Sequence, residues 1–356
     1  MTDHSSPLRR ELGLSLIEVM VAMAVGLITV LVVMQVLLAF EGDKRTTTGA
    51  ADAQTNGGIA LYTIRRQVQM AGFGLPVFTA NTAFACGDTT LSIGGANIFP
   101  IEIVDGGNAA GASDTIRVRY GSSPLGGVPV KALSLTNPIG VSSSMACQAG
   151  DSALLVNGAT CSATSVTAVP DDTHVTLSSV AGIVANKTSI ACVGQWRQFA
   201  YAVNNERLEL ATTVANVTTT TPVVADIVNV QAQYGVSDMP TSNVITSWVD
   251  ATGGTWANPS LVNRNRIKAV RVAIVARSGL REKEIVSTAC STLTAAAPTG
   301  LCAWAGVPVG GTITTASPAP AINLDVTGDG EWQHYRYRVY ETVIPLRNVI
   351  WSRKSL

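Results

Sequence analysis

The side chain with the clearest chemical consequence is Glu18, the only charged residue in an apolar run that extends from Leu14 to Phe40. A carboxylate costs roughly 2.5–3.5 kcal/mol at the centre of a bilayer, so a charge in a membrane-length segment requires a partner or a function. Gly13 separates the run from a short polar leader that carries two arginines. We therefore take Gly13, Leu14 and Glu18 as the first candidate functional residues.

The cysteines form a second set of candidates. All of them lie beyond the apolar run: Cys86, Cys147, Cys161, Cys192, Cys290 and Cys302. An even number of cysteines in an exported domain favours disulfides, and the C-x2-C spacing typical of zinc sites is absent from the sequence. Cys290 and Cys302 enclose a short loop, so we predict a disulfide between them. The other four allow three pairings, of which we prefer Cys86–Cys147 with Cys161–Cys192.

Residues 325–331 contain oxygen-bearing side chains at alternate positions, as calcium loops do: Asp325, Thr327, Asp329 and Glu331. The EF-hand form requires an acidic residue at its twelfth position, where this chain has Arg336. We favour an Asp/Gly-rich turn and predict no metal, and weak calcium binding through these four residues stays an alternative.

Composition and motifs argue against two functional classes. The chain carries equal numbers of basic and acidic side chains, 24 of each, so there is no electrostatic case for nucleic-acid binding. The sequence contains no G-x-S-x-G, H-E-x-x-H or phosphate-binding glycine motif. We therefore predict that the protein is not an enzyme and binds no cofactor.

The apolar run has the length of a membrane span. As an α-helix, residues 14–40 would measure about 40 Å, whereas the hydrocarbon core of a bilayer is about 30 Å thick. Arg9 and Arg10 place the leader in the cytoplasm by the positive-inside rule. The rest of the chain is then expected on the periplasmic side of an inner membrane.

This N-terminal pattern resembles the class III signal of type IV prepilins and pseudopilins. The resemblance implies that a prepilin peptidase cuts between Gly13 and Leu14 and methylates the new amino terminus. Glu18 then holds the fifth mature position, where the family nearly always has Glu. The family usually begins with Phe, and we expect Leu14 to be tolerated because the position requires an apolar side chain.

The segment after the span reads as a helix followed by β-structure. An amphipathic pattern continues the helix over residues 41–75, and glycines such as Gly57 weaken it by roughly 1 kcal/mol each. The sequence around Gly72 ends it. We predict strands over residues 115–120, 152–156, 165–169, 196–203, 207–211, 228–236, 267–276 and 335–346, with a tight turn at Asn204-Asn205. Residues 238–265 and 279–330 read as long loops.

Residues 61–72 resemble the end of this helix in PilW-type minor pilins and in the related J-type pseudopilins of type II secretion. Residues 228–237 with 267–278, and residues 337–348, resemble later strands of the PilW-type minor pilins. The resemblance implies a pilin-like α+β fold: a long N-terminal hydrophobic helix, half span and half amphipathic, then an antiparallel β-sheet domain with long disulfide-bearing loops. The predicted divisions are a cleaved leader (1–13), a span (14–40), an amphipathic continuation (41–75) and a periplasmic domain (76–356).

The implied function is the initiation and assembly of a type IV pilus, at or near the filament tip. The implied partners are other minor pilins, the major pilin, prepilin peptidase and the inner-membrane assembly platform, with a tip adhesin as a further candidate. Two alternatives stay open, a type II secretion pseudopilin and a membrane-anchored periplasmic binding module without a filament role.

Overall fold

The computed structural model describes residues 15–75, 91–107, 109–158, 160–290, 300–304 and 322–351. The contacts divide the chain into a helical unit, Met1–Ala51, and a globular unit, Asp52–Leu356. The helices are α1 (Leu16–Met70), α2 (Gly253–Trp256), α3 (Leu261–Arg266) and α4 (Arg347–Trp351), and a 3-10 helix occupies Glu331–His334.

Helix α1 runs without interruption through both the apolar and the amphipathic segment. No proline occurs within it, and Ala, Leu and Met favour the helix. It ends where predicted, because Gly72 adopts a left-handed conformation with a φ of 78° that a side chain would disfavour. The Gly72 N–H donates to the Arg119 carbonyl at 2.9 Å, which fixes the chain that leaves the helix.

The strands, in chain order, are β1 (Ser92–Ile93), β2 (Ala96–Asn97), β3 (Ile101–Val104), β4 (Thr115–Gly121), β5 (Val130–Lys131), β6 (Ile139–Gly140), β7 (Ser152–Asn157), β8 (Thr160–Asp171), β9 (His174–Leu177), β10 (Ser189–Gly194), β11 (Trp196–Asn204), β12 (Arg207–Val214), β13 (Val217–Ala225), β14 (Ile227–Val236), β15 (Ser247–Val249), β16 (Ile267–Arg281) and β17 (Tyr335–Pro345).

These strands form four sheets within the described parts of the chain. The five-stranded sheet has the order β13-β12-β11-β4-β3, the four-stranded sheet β15-β14-β16-β17, and the six-stranded sheet β5-β10-β7-β8-β9-β6, while β1 and β2 form a short pair. Every strand pairing within these four sheets is antiparallel. The predicted α+β fold, with a long apolar helix before an antiparallel β-domain, is confirmed.

The second half of α1 packs into the main hydrophobic core. Ala60, Ile64 and Val68, four residues apart, form one helix face and are fully buried. They share this core with apolar side chains of the five-stranded and four-stranded sheets. Gly57 lies on the same face, where a Cβ atom would stand 2.2 Å from the Tyr340 ring. This glycine therefore permits a close approach between helix and sheet.

The predicted strands correspond to β4, β7, β8, β11, β12, β14, β16 and β17. The tight turn is one residue later than predicted, at Asn205 and Glu206, both with positive φ, because Asn204 still pairs with Arg207. The predicted loop at 238–265 is wrong in part, since it contains β15, α2 and α3. The predicted loop at 279–330 begins inside β16, which extends to Arg281.

Candidate functional site

Glu18 lies in the first turn of α1, where its backbone N–H donates to the Ser15 carbonyl at 3.0 Å. Its side chain is exposed. Among the described residues, its carboxylate has no ion-pair partner. Gly13 and Leu14, the predicted cleavage site, lie outside the described residues. The charge within the apolar run is therefore available to a group outside the described part of this chain.

The segment around Glu18 is apolar on all sides. Every side chain described between residues 15 and 40 is exposed, and the large apolar ones range from 39% for Val19 to 80% for Leu16. Among the described residues, α1 is the helix that is long and apolar enough to cross a membrane. A helix that is hydrophobic all round requires a bilayer or other helices around it, because such a surface is unfavourable in water.

The C-terminal residues hold the far end of α1 in place. The side-chain amide of Asn348 lies within hydrogen-bond distance of three carbonyl oxygens at the end of the helix, those of Gln69 at 3.5 Å, Met70 at 3.3 Å and, just after the helix, Ala71 at 3.1 Å. The last carbonyls of a helix lack partners within the helix, so this donor caps α1. Leu346 and Val349 on either side are buried in the same core.

A buried cation links β14 to β16. The Arg271 guanidinium lies 5.0 Å from the Trp248 ring centroid and 4.4 Å from that of Trp304, and its Nε donates to Gln233 Oε1 at 2.8 Å. Gln233 in turn donates to Asp250 at 2.5 Å. Burial lowers the pKa of Arg271 to about 10. These bonds position the two strands, and they show why a charged side chain is tolerated in this core.

Asp114 is a buried carboxyl group, and no pattern in the sequence singles it out, because it follows an ordinary polar loop. Its two carboxylate oxygens accept from the N–H groups of Gly106 at 2.9 Å and Ala232 at 2.7 Å. Burial raises its pKa to about 7, against the opposing effect of these two hydrogen bonds. The residue therefore joins the loop before β4 to β14.

The structure corrects two of the predicted disulfides. Cys290 bonds to Cys302, the pair that the sequence predicts. Cys147 bonds to Cys192, with a Cα–Cα distance of 5.1 Å, so the preferred pairs Cys86–Cys147 and Cys161–Cys192 are wrong.

The strand order gives the physical reason. Cys192 in β10 and Cys161 in β8 lie on opposite sides of β7, where they pair with Ala153 and Val156. Cys161 is also disulfide-bonded. Cys86 lies outside the described residues.

Side-chain oxygen atoms of the candidate calcium loop form hydrogen bonds and an ion pair with other residues of this chain. Asp329 Oδ1 accepts from Thr327 Oγ1 at 2.5 Å and from the Glu331 N–H at 3.0 Å, and Asp325 accepts from the Gly330 N–H. The Glu331 carboxylate forms a two-bond ion pair with Arg281, at 2.8 Å for each bond. In the described part of the chain, no three acidic, His or Cys side chains group together as a metal site. This arrangement is that of a hydrogen-bonded turn.

One further feature shows no signal in the sequence pattern. The sequence pattern indicates only that Arg65 and Arg66 are polar positions of an amphipathic helix. In the structure, they line clefts together with Arg347 from α4. The two helices are far apart in sequence, and only the fold brings these three arginines to the lining of one cleft.

Part of the chain matches a known protein family. Residues 198–348 match the family model described as Type IV Pilus-assembly protein W, PilW. The matched region contains β14, β16, β17 and the Asn348 cap, and the match confirms the PilW resemblance for this part of the chain. No curated protein matches the chain. Among solved structures, a type IV-like pilin from Thermus thermophilus aligns over 84% of this chain and 96% of that chain, with 11% identity and a TM-score of 0.34.

Proposed function

We propose that the protein is a minor pilin that helps to initiate and assemble a type IV pilus. The observation that carries the proposal is the PilW match over residues 198–348 in a chain whose α1 begins with an exposed apolar segment. The protein is inserted in the inner membrane with its globular unit in the periplasm. It then enters the filament at or near the tip and reaches the cell surface.

Glu18 directs incorporation through charge pairing. Cleavage between Gly13 and Leu14 by prepilin peptidase frees the Leu14 amine, and the same enzyme then transfers a methyl group to it from a methyl donor. This positive amine on one subunit pairs with a Glu18 carboxylate on its neighbour, which removes an uncompensated charge from an apolar setting. Small residues of the span, Ala22, Ala24 and Gly26, then allow close helix packing.

The globular unit provides the selective contacts. Its partners are other minor pilins, the major pilin and the inner-membrane assembly platform, with a tip adhesin as a further candidate. The role requires neither catalysis nor a cofactor.

Replacement of Glu18 tests the proposal. Glu18→Ala should insert into the membrane as well as wild type, because the span becomes more apolar. The amount recovered with sheared filaments should fall at least tenfold, because an ion-pair partner removed from an apolar site costs about 3–5 kcal/mol. Quantitative immunoblots of the membrane and filament fractions measure both.

Glu41→Ala is the matched control, because Glu41 lies on the same helix beyond the apolar run. It should leave both fractions unchanged. Wild-type incorporation of Glu18→Ala would contradict the pairing. A wild-type chain that enters a secretion pseudopilus, or no filament at all, would instead favour the secretion pseudopilin or the solitary binding module.

A further inference from the structure

Two adjoining clefts lie between the end of α1 and α4. One, of about 390 Å³, is lined by Tyr62, Arg65, Arg66, Gln69 and Arg347. The other, of about 410 Å³, shares Arg66, Gln69 and Arg347 with it and adds Gln67, Met70, Tyr120 and Asn348. We call them together the arginine cleft, and all of its residues belong to the globular unit.

The walls of the arginine cleft are held by specific contacts. Asn348 caps the last turn of α1 and so joins α4 to that helix. The Tyr120 hydroxyl donates to Gln67 Oε1 at 2.9 Å, and the Tyr120 ring stacks on Phe199 with a centroid distance of 5.0 Å. The backbone that carries the three arginines is therefore fixed before any partner arrives, which lowers the entropic cost of binding.

The cleft is strongly cationic although the whole chain is formally neutral. Among the described residues, its lining contains three arginines and no acidic side chain. Arg65 and Arg66 are exposed. Within the described ranges, neither of them has an ion-pair partner. Tyr62 and Met70 add exposed apolar surface beside the charges.

We infer that the arginine cleft docks a carboxylate-bearing segment of another protein subunit. Guanidinium groups bind carboxylates through paired, parallel hydrogen bonds, and Tyr and Arg side chains are typical anchors of protein interfaces. The assignment of that subunit as another pilin rests on the proposed function, whereas the acidic chemistry of the ligand does not.

Two other anionic partners fit the cleft less well. Proteins that bind nucleic acid by charge commonly neutralise about 6–10 phosphates, more than three arginines in a neutral chain provide. Basic clusters that bind anionic lipids adjoin a membrane span and contain about 4–8 cations. Arg65 and Arg66 do not adjoin the apolar run that ends at Phe40.

The test uses the full chain in detergent micelles and a fluorescein-labelled hexaglutamate peptide, with hexaglutamine as the neutral reference. Fluorescence anisotropy should show tighter binding of hexaglutamate, weakened as salt rises from 0.05 to 0.5 M because ions screen exposed charges. The double variant Arg65→Gln/Arg66→Gln should bind hexaglutamate at least tenfold more weakly. Both positions are exposed, so the fold should persist, and circular dichroism checks this.

The matched control is Lys131→Gln/Arg207→Gln, which removes the same charge from exposed positions outside the cleft. It should change the affinity less than twofold. Equal affinity for hexaglutamate and hexaglutamine would overturn the proposal. An equal loss of hexaglutamate affinity in the two double variants would overturn it as well. So would tighter, Arg65- and Arg66-dependent binding of a single-stranded oligonucleotide or of phosphatidylglycerol vesicles.

A second measurement separates this proposal from the proposed function. Co-purification of the wild-type chain with the pilins encoded beside it tests the pilin role. Hexaglutamate binding that depends on Arg65 and Arg66, without any pilin bound, would support the cleft and count against the pilus role. Pilin binding that survives Arg65→Gln/Arg66→Gln, with no preference for hexaglutamate, would support the pilus role and refute the cleft.

Discussion

The two halves of α1 differ in how their apolar surface is covered. Residues 16–40 are apolar on every side, and all of their described side chains are exposed. Residues 52–70 are amphipathic, and their main apolar face, with Ala60, Ile64 and Val68, is buried in the core of the globular unit. One continuous helix therefore contains a segment whose apolar surface is covered within the chain and a segment whose apolar surface is not.

This difference indicates where each half obtains its stability. Burial of apolar surface stabilises whichever structure removes that surface from water. Changes in the second half should therefore alter the free energy of unfolding of this chain alone. Changes in the first half should alter its association with a bilayer or with other helices.

The largest expected effect is on the free energy of unfolding, and it is tested by replacing one isoleucine in each half. Ile64→Ala removes a fully buried side chain and should lower the free energy of unfolding of the globular unit by about 2–5 kcal/mol. Ile28→Ala, at a position that is 62% exposed, should change it by less than about 0.5 kcal/mol. Tryptophan fluorescence during urea denaturation in micelles is the measurement. All six tryptophans follow residue 51 and therefore report on the globular unit.

If Ile64→Ala and Ile28→Ala lowered the free energy of unfolding equally, the contrast between the two halves of α1 would be contradicted. A fall in filament incorporation for Ile28→Ala, at unchanged stability, would strengthen it.

The second effect concerns pH and the buried carboxyl group of Asp114. The unfolded chain releases the Asp114 proton near its ordinary pKa of 3.8, whereas the folded chain retains it to about pH 7. The folded state therefore binds more protons between these values, and its stability should fall as pH rises from about 4 to 7. The contribution is on the order of a few kcal/mol.

Denaturation curves of wild type and Asp114→Asn at pH 5 and pH 8 test this prediction. From pH 5 to pH 8, the free energy of unfolding of wild type should fall relative to that of Asp114→Asn, because Asn carries no charge at either pH. The same difference at both pH values would show that the Asp114 carboxyl ionises normally.

The smallest effect concerns the cap at the end of the buried half. Asn348→Ala removes the side-chain donor to the last carbonyls of α1 and should cost about 1 kcal/mol. Asn348→Asp should cost at least as much, because a carboxylate cannot donate to these oxygens. Urea denaturation measures both, and an Asp variant as stable as wild type would rule out the capping role.

The sequence predicts the elements that carry strong periodicity or a specific motif. The length of α1, its end near Gly72, and the strands β14, β16 and β17 follow from apolar runs, glycine and alternation. Strand β13 was missed because Val217–Ala225 is rich in threonine, contains Pro222 and is exposed over most of its length, so it shows no alternation. Strand β10 shows no alternation of apolar and polar residues, because it is buried on both faces.

Features that depend on strand order could not be predicted. The bond between Cys147 and Cys192 forms because β10 lies beside β7, a neighbour relation that spacing along the chain does not reveal. The arginine cleft likewise requires α4 to pack beside the end of α1. Gly57 reads as a weak point of a helix, and only the Tyr340 ring against it explains its presence.

The most direct test of the central claim is the identity of the amino terminus in assembled filaments. Intact-mass and peptide spectrometry of the chain recovered from sheared pili should give a mature form that begins at Leu14, carries an N-methyl group and retains the whole apolar run. Gly13→Val should leave the leader attached and remove the chain from the filament fraction. A filament form that begins elsewhere, or a wild-type chain that is absent from filaments, would contradict the account.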